Sequence, residues 1–200
     1  EDGLRLVKKR GELMQEAGTR SPGTMAAVIG AEADIVEAAC AEAAEAGIVQ
    51  PANFNSPGQI VISGSIEGID RAMAVLKENG VRIVKKLPVS GAFHSPLMQY
   101  AQDELGAVLA ETPINDARFP IYSNVTGLPE TMAAEIRENL LRQVTSPVLW
   151  EKSMRNMRAD GMETFIESGP GSVLQGLLKR IDADAPCRTV VTLDELHGVE

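Results

Sequence analysis

The sequence predicts an α/β protein, because strand-like and helix-like segments alternate along most of its 200 residues. One observation is the segment order β-α-β-β-α-β between Thr24 and Leu87, and another is the regular alternation of helix and strand after Pro96. A third is composition, since 44% hydrophobic and 24% charged residues are typical of a globular chain rather than a disordered one. The length suits one domain with a small inserted lobe.

The first predicted element is an amphipathic helix from Asp2 to Ala17. With about 100° between successive residues, its apolar side chains share one arc, which consists of Leu4, Leu6, Val7, Leu13 and Met14. Arg10 lies inside this apolar arc. A buried arginine either pairs with a structural carboxylate or extends to water along its apolar stem. Alternatively, its planar guanidinium binds the carboxylate of a ligand through two hydrogen bonds. Helix geometry leaves both interpretations open.

The next part of the chain is more regular. The pattern predicts strands and helices at Thr24–Gly30 (strand), Ala33–Ala46 (helix), Val49–Phe54 and Gln59–Gly64 (strands around the turn 55–58), Ile66 to Asn79 (helix) and Val81–Leu87 (strand). This order is that of a ferredoxin-like lobe, an architecture that serves many functions.

After this lobe the chain alternates between the two types of element. Helices are predicted at Pro96–Glu111, Thr131–Val144, Val148–Ala159 and Ser172–Ile181, and strands at Phe119–Asn124, Glu163–Glu167 and Arg188–Leu193. Alternation of this kind is typical of an α/β layer with a largely parallel sheet.

Charge and composition exclude several classes of function. The chain has 19 Lys and Arg against 28 Asp and Glu, a net charge of −9, which argues against a nucleic-acid partner. No apolar run approaches the ~20 residues of a membrane span, and no signal segment opens the chain. Cys40 and Cys187 lie in no metal or redox spacing, which favours a reducing, cytoplasmic location. We expect no metal and no cofactor, because there is no dinucleotide fingerprint either.

His94 lies at the join between the lobe and the second half of the chain. Ser95 is a suitable N-cap and Pro96 a suitable first helical residue, so the ring should lie just outside a helix N-terminus. That positive helix end disfavours imidazolium and leaves a neutral ring that can accept a proton. The alternative is a polar residue in a connecting loop. The only other histidine is His197, and no serine lies in a G-x-S-x-G elbow.

Several segments carry a resemblance to a known family. Arg10–Gln15, Asn53–Gly64, Val89–Met98, Pro147–Trp150 and Glu167–Gly171 occur in the order seen in malonyl-CoA:acyl-carrier-protein transacylases, and the chain resembles this family from about residue 1 to Leu193. The resemblance implies an α/β-hydrolase-like domain, incomplete at its N-terminus, formed by residues 1–20 and 90–200. The inserted ferredoxin-like lobe would occupy residues 21–89.

The resemblance also implies a chemistry. His94 matches the catalytic histidine, the main-chain carbonyl of Gln143 matches the group that accepts its other N–H, and Arg10 matches the arginine that grips the malonyl carboxylate. The activity implied is transfer of malonyl from malonyl-CoA to acyl carrier protein through an acyl-serine, in fatty-acid synthesis. The family's Gly-His-Ser-Leu-Gly elbow would precede Glu1, so the 200-residue chain by itself is expected to be inactive.

Substrate residues are implied in the same way. Asn55, Met14 and Met25 match residues near the acyl pocket, and Phe93 would crowd an α-methyl branch, which favours malonyl over methylmalonyl groups.

The implied partners are malonyl-CoA and acyl carrier protein. The carrier is acidic, as this chain is, so we expect a local basic patch formed by Arg82, Lys85 and Lys86, or else an ordinary solvated strand. One alternative function is an acyltransferase domain of a polyketide or fatty-acid megasynthase. Another is a non-catalytic ferredoxin-like binding module.

Overall fold

A computed structural model describes residues 1–192 and 194–195. The helices of this part are α1 (Asp2–Arg20), α2 (Ala33–Ala43), α3 (Ile66–Glu78), α4 (Gln99–Glu111), α5 (Ala133–Arg142), α6 (Trp150–Ala159) and α7 (Val173–Ile181). The strands are β1 (Thr24–Ile29), β2 (Val49–Ser56), β3 (Gln59–Gly64), β4 (Ile83–Lys86), β5 (Ile121–Tyr122), β6 (Pro129–Glu130), β7 (Phe165–Ser168) and β8 (Cys187–Val190). The structure is therefore of the α/β class, as predicted.

Strands β1 to β4 form one sheet in the order β2-β3-β1-β4, with every neighbouring pair antiparallel. β-Branched residues of β3 lie at its centre, with Ile60 opposite Val28 and Ile62 opposite Ala26. Helices α2 and α3 bury their apolar stripes against one face of this sheet, where Ile69 is fully buried. The apolar area removed from water here is the main stabilising contribution to this half of the chain.

Helix α1 packs against α4 in the second core. Leu13, Met14 and Ala17 are buried there with Leu105 and Leu109 of α4. The last turn of α1 reaches Arg20, three residues beyond the predicted end, and an ion pair from Arg20 to Glu16 at 2.6 Å supports it.

The predicted apolar arc of α1 is only partly correct. Leu6 packs against the second core, but Leu4 is 79% exposed and Val7 is 67% exposed. Helix α4 covers the side of α1 that carries Leu13, and the described residues leave the side that carries Leu4 and Val7 open to solvent. Helical periodicity locates an apolar face, but a packing partner determines which part of it is buried.

The predicted parallel sheet is wrong in extent. Among the described strands only β7 and β8 pair in parallel, over Phe165–Ser168 and Cys187–Val190. The strand predicted at 119–124 shortens to β5 and pairs antiparallel with β6, an element that the pattern did not predict. A strand extends only where a neighbour offers backbone donors and acceptors. Of the described residues, only Pro129 and Glu130 stand opposite β5, and Pro129 has no backbone N–H to donate.

Other helix ends also differ from the prediction. Helix α6 begins at Trp150 rather than Val148, because the backbone of Val148 bonds to β2 through Ala52 and Phe54, each at 2.8 Å. The predicted helix at 96–111 begins with a separate 3-10 turn, Pro96–Met98. Within the described residues, no helix is long and apolar enough to cross a membrane.

The core beneath α3 provides a test of this packing. Replacing the fully buried Ile69 by alanine should lower the free energy of unfolding by about 2–5 kcal/mol, because it removes buried methyl groups and leaves a cavity. The matched control is Ile66→Ala on the same helix, where the side chain is 45% exposed and the change should stay within about 0.5 kcal/mol. Urea unfolding of both variants makes the comparison. Equal losses would mean that α3 packs on a different face.

Candidate active site

The segment that carries His94 is held by the helix start that follows it. Ser95 is buried, and its hydroxyl donates to the Ala92 carbonyl at 2.6 Å and accepts from the Leu97 N–H at 3.3 Å. Pro96 opens the 3-10 turn, so His94 lies immediately outside a helix N-terminus, as predicted. His94 itself has a φ of +59°, which places a residue with a side chain in the left-handed region.

One contact determines which nitrogen of the ring carries hydrogen. The Nδ1 of His94 lies 2.9 Å from the main-chain carbonyl oxygen of Gln143, which can only accept a hydrogen bond. The side-chain amide of Gln143 is also 3.5 Å from Nδ1, but it donates to the carbonyls of Ser146 at 3.1 Å and Pro147 at 3.4 Å. The neutral ring therefore carries its hydrogen on Nδ1, and Nε2 keeps a free electron pair.

The position of Gln143 explains why its carbonyl is available. Gln143 is the C-cap of α5, and its N–H donates to the carbonyl of Asn139 at 3.0 Å. The last carbonyls of a helix have no partner within the helix and carry its partial negative charge. This carbonyl therefore both orients the imidazole and stabilises a proton that the ring accepts.

Burial is the largest influence on the basicity of His94. Burial lowers the pKa of the imidazole below its ordinary value of 6.5, and the nearby positive charge of Arg10 lowers it further. The carbonyls of Gln143 and Ser146 act in the opposite direction. The sequence predicted a neutral ring on account of the helix end, but the main physical cause is loss of solvent.

Arg10 is a half-buried cation whose charge reaches His94. Burial lowers the pKa of its guanidinium. The other two arginines of α1 are paired, Arg5 with Glu1 at 2.7 Å and Arg20 with Glu16 at 2.6 Å. Within residues 1–192 and 194–195, by contrast, no carboxylate or other acceptor bonds to Arg10, so nothing there matches the structural ion pair considered from the sequence.

A close backbone approach brings α1 to the histidine segment. A Cβ on Gly18 would lie 2.8 Å from the carbonyl oxygen of Ser90, so only glycine lets the helix lie so close to this segment. Through this contact the helix that carries Arg10 and the loop that carries His94 form one packed unit.

Phe93 lies between two apolar clusters. It packs against the cluster that contains Met14 and Val144 and also against the one that contains Met25 and Val61. Three of the residues implied near the acyl pocket, Phe93, Met14 and Met25, therefore meet beside the histidine segment.

Asn55 lies near the end of β2. It lines a cavity of about 420 Å³ together with Asn53, Gln59, Asn124 and Trp150, and neither His94 nor Arg10 lines that cavity.

The expected basic patch is divided by the strand geometry. Lys85 stands opposite Ala27 and Lys86 opposite Ala26, so their side chains lie on opposite faces of the sheet. Lys86 also pairs with Asp70 of α3 at 2.6 Å. Arg82 and Lys85 are exposed, and no ion pair holds either of them among the described residues.

Sequence reasoning missed one residue that contacts the histidine. Gln50 donates from its side chain to the main-chain carbonyl of His94 at 2.9 Å. No motif marks this glutamine, and only its place on β2, shortly before the Asn53–Gly64 segment, could have drawn attention to it. His197 lies outside the described residues. In the part of the chain that the structure describes, no three His, Cys, Asp or Glu side chains group in a way that could hold a metal ion.

The fold of this chain occurs in a known family. Residues 1–193 match the model of the acyl transferase domain. The chain therefore belongs to the acyl transferase domain family.

The relatives within this family carry a more specific name. The malonyl CoA-acyl carrier protein transacylase of Escherichia coli (strain K12) is 46% identical over 180 residues, which cover 90% of this chain and 58% of the relative. The protein of the same name from Bacillus subtilis (strain 168) is 44% identical over 182 residues, with 90% and 57% covered. The chain thus spans less than two thirds of the length of these curated relatives.

Solved structures agree with this relationship. A malonyl-CoA:acyl carrier protein transacylase from Xanthomonas oryzae superposes with a TM-score of 0.92 at 43% identity, covering 98% of this chain and 63% of the other. A malonyl-transacylase in complex with a type II PKS acyl-carrier protein superposes with a TM-score of 0.91 at 39% identity, with 96% and 62% covered.

The lowered pKa of His94 predicts a pH dependence of stability. The unfolded chain binds a proton at the ordinary value, so the native state loses stability as the pH falls through 6.5 towards the folded pKa. In a His197→Gln background, this loss should be smaller once His94 is also replaced by glutamine. Urea unfolding at pH values on both sides of 6.5 measures the difference. Parallel stability profiles for the two proteins would show that His94 titrates normally.

Proposed function

We propose that the protein transfers a malonyl group from malonyl-CoA to the pantetheine thiol of acyl carrier protein, through an acyl-serine, in fatty-acid synthesis. The observation that carries this proposal is the bond from His94 Nδ1 to the Gln143 carbonyl, because it leaves Nε2 free to accept a proton. The names of the relatives support the choice of substrates. The serine would lie outside these 200 residues, since none here has the elbow pattern.

In the proposed mechanism, Nε2 of His94 takes the hydroxyl proton as the serine oxygen attacks the malonyl thioester carbon. The carbon–sulfur bond breaks, and the sulfur of coenzyme A leaves with the proton that the ring returns. The pantetheine thiol then gives its proton to the same nitrogen and attacks the acyl-serine carbon. The carbon–oxygen bond breaks, and the ring returns the proton to the serine oxygen. The Gln143 carbonyl stabilises the imidazolium in both steps and takes the place of a carboxylate.

Arg10 would hold the free carboxylate of the malonyl group. A half-buried guanidinium without a described partner is costly, and a carboxylate can satisfy it with two hydrogen bonds. The position of this charge near His94 keeps the acyl group within reach of the base. Phe93, Met14 and Met25 would form the apolar wall beside it, and Phe93 would crowd an α-methyl branch.

The architecture that we propose has two parts. Residues 21–89 form a ferredoxin-like lobe, an assignment that the sheet order β2-β3-β1-β4 supports. Residues 1–20 and 90–200 belong to an α/β-hydrolase-like domain, of which the parallel pair β7–β8 is part. The location that we propose is cytoplasmic, because Cys40 and Cys187 are free thiols.

An acyltransferase domain of a megasynthase would use the same site. The relatives, which are named malonyl CoA-acyl carrier protein transacylase, favour a discrete enzyme. A non-catalytic binding module would not need an oriented, neutral histidine beside an arginine that has no ion-pair partner among the described residues.

The proposed role of Arg10 makes a prediction about specificity. In a form of the protein that contains the nucleophilic serine, Arg10→Ala should lose malonyl transfer but keep transfer of acetyl, whose methyl group needs no cation. A charge-assisted bond is worth about 1.5–3 kcal/mol, so the ratio of kcat/KM values should change by ~10–100-fold. Arg10→Lys should keep only part of the preference for malonyl over acetyl, since an ammonium cannot form the two parallel hydrogen bonds of a guanidinium. An equal loss for both acyl groups would assign Arg10 to structure.

Carrier-protein docking can be tested on β4. We propose that Arg82 and Lys85, which are exposed, attract the acidic carrier protein, whereas Lys86 is engaged by Asp70. Lys85→Gln should therefore raise the KM for carrier protein and leave that for malonyl-CoA almost unchanged. Lys86→Gln, which removes the same charge one residue further on, is the matched control and should have less effect. Similar increases for both variants, or for both substrates, would contradict this surface.

A further inference from the structure

His94 has a backbone conformation that needs support. Its φ of +59° is positive, and it is the one non-glycine residue of which this is true in the part of the chain that the structure describes. The left-handed region is unfavourable for residues that carry a Cβ, and such residues persist there only when their surroundings hold them.

The side chain of Gln50 contacts this strained residue. Its Nε2 donates to the carbonyl oxygen of His94 at 2.9 Å and to that of Thr145 at 3.4 Å, so both amide hydrogens have acceptors. Thr145 lies two residues beyond Gln143, which holds the imidazole ring. One glutamine therefore joins the same two segments that the ring contact joins.

Gln50 is fixed in place by the sheet. It lies on β2 opposite Ser63 of β3. Further along β2, the backbone of Val148 donates to Ala52 and accepts from Phe54, each at 2.8 Å. Strand β2 thus holds the chain that follows α5 at two separate points, one through its backbone and one through Gln50.

We propose that Gln50 is a positioning residue for His94, which keeps the ring against the Gln143 carbonyl by bonding to the carbonyls of His94 and Thr145. The importance of this role for catalysis rests on the function proposed above, in which Nε2 of His94 is the base. Among the described residues, the side chain of Gln50 bonds only to main-chain oxygens, so it acts through the histidine backbone.

Loss of the Gln50 contact should change the pKa of the His94 ring in one direction. The groups that act on the imidazole are the carbonyls of Gln143 and Ser146 and the charge of Arg10 on α1. Without Gln50, the segment can leave the left-handed conformation and the ring can gain solvent. Because burial is the largest cause of the lowered pKa, that pKa should rise towards its ordinary value.

The test is nitrogen NMR of the imidazole in the 200-residue chain with His197→Gln, which leaves one histidine signal. The parent should show hydrogen on Nδ1. Gln50→Met, which keeps the length but cannot donate, should show a mixture of tautomers and a raised pKa. Gln50→Glu, whose ionised carboxylate also cannot donate, should give the same change.

The matched control is Gln175→Met. Gln175 donates from its side chain to a strand carbonyl, that of Cys187, at 2.6 Å, and it has no bond to the histidine segment. This variant should lose a hydrogen bond and leave the His94 spectrum unchanged. A parent-like spectrum in both Gln50 variants would overturn the proposal. Loss of the fold in both would do the same, because it would assign Gln50 to stability.

An active form of the protein adds a second measurement. Gln50→Met should lower kcat by roughly 10- to 100-fold, since a displacement of about 1 Å at a reacting group has effects of that size. The KM for the acyl donor should change little. The NMR experiment requires no turnover. The expected spectra, together with a serine-containing form that fails to transfer malonyl, would therefore contradict only the proposed acyl transfer.

Discussion

The candidate site depends on the hydrogen bond between Nδ1 of His94 and the main-chain carbonyl of Gln143. A histidine base is usually oriented by a carboxylate, and here a carbonyl at the end of α5 takes that place. A carbonyl carries only a partial charge, so the ring stays neutral in its buried position, yet the helix end still stabilises a transient proton. The bond requires that two segments 49 residues apart be held in register, and strand β2 provides this through the backbone of Val148 and the side chain of Gln50.

Two groups that can carry a positive charge lie near each other in this site. Burial lowers the pKa of both Arg10 and His94, and the charge of Arg10 makes protonation of the ring less favourable still. A carboxylate bound to Arg10 would offset that charge and make the ring a stronger base when the acyl group is present. In the proposed function, the residue that selects the substrate therefore also adjusts the base, because opposite charges at short range favour the protonated imidazole.

The arrangement of the apolar clusters explains why the site lies where it does. One core lies between the four-stranded sheet and helices α2 and α3, and another lies between α1 and α4. Phe93 packs against both the second core and the small cluster around Met25, which lies on the opposite face of the sheet from α2 and α3. His94, the next residue, is half-buried, and this burial is the largest cause of its lowered pKa.

The sequence by itself determined the elements whose signals are local. The β-α-β-β-α-β order, the N-cap at Ser95 and the anomalous Arg10 follow from periodicity and turn chemistry, which depend on residues a few positions apart. Only the tertiary structure decided what depends on distant partners. Leu4 is exposed because α4 covers another side of α1. Val148 lies outside the predicted helix because its backbone bonds to β2. The contact between Gln50 and His94 could not be predicted either, because a hydrogen bond between residues 44 positions apart leaves no pattern in the local sequence.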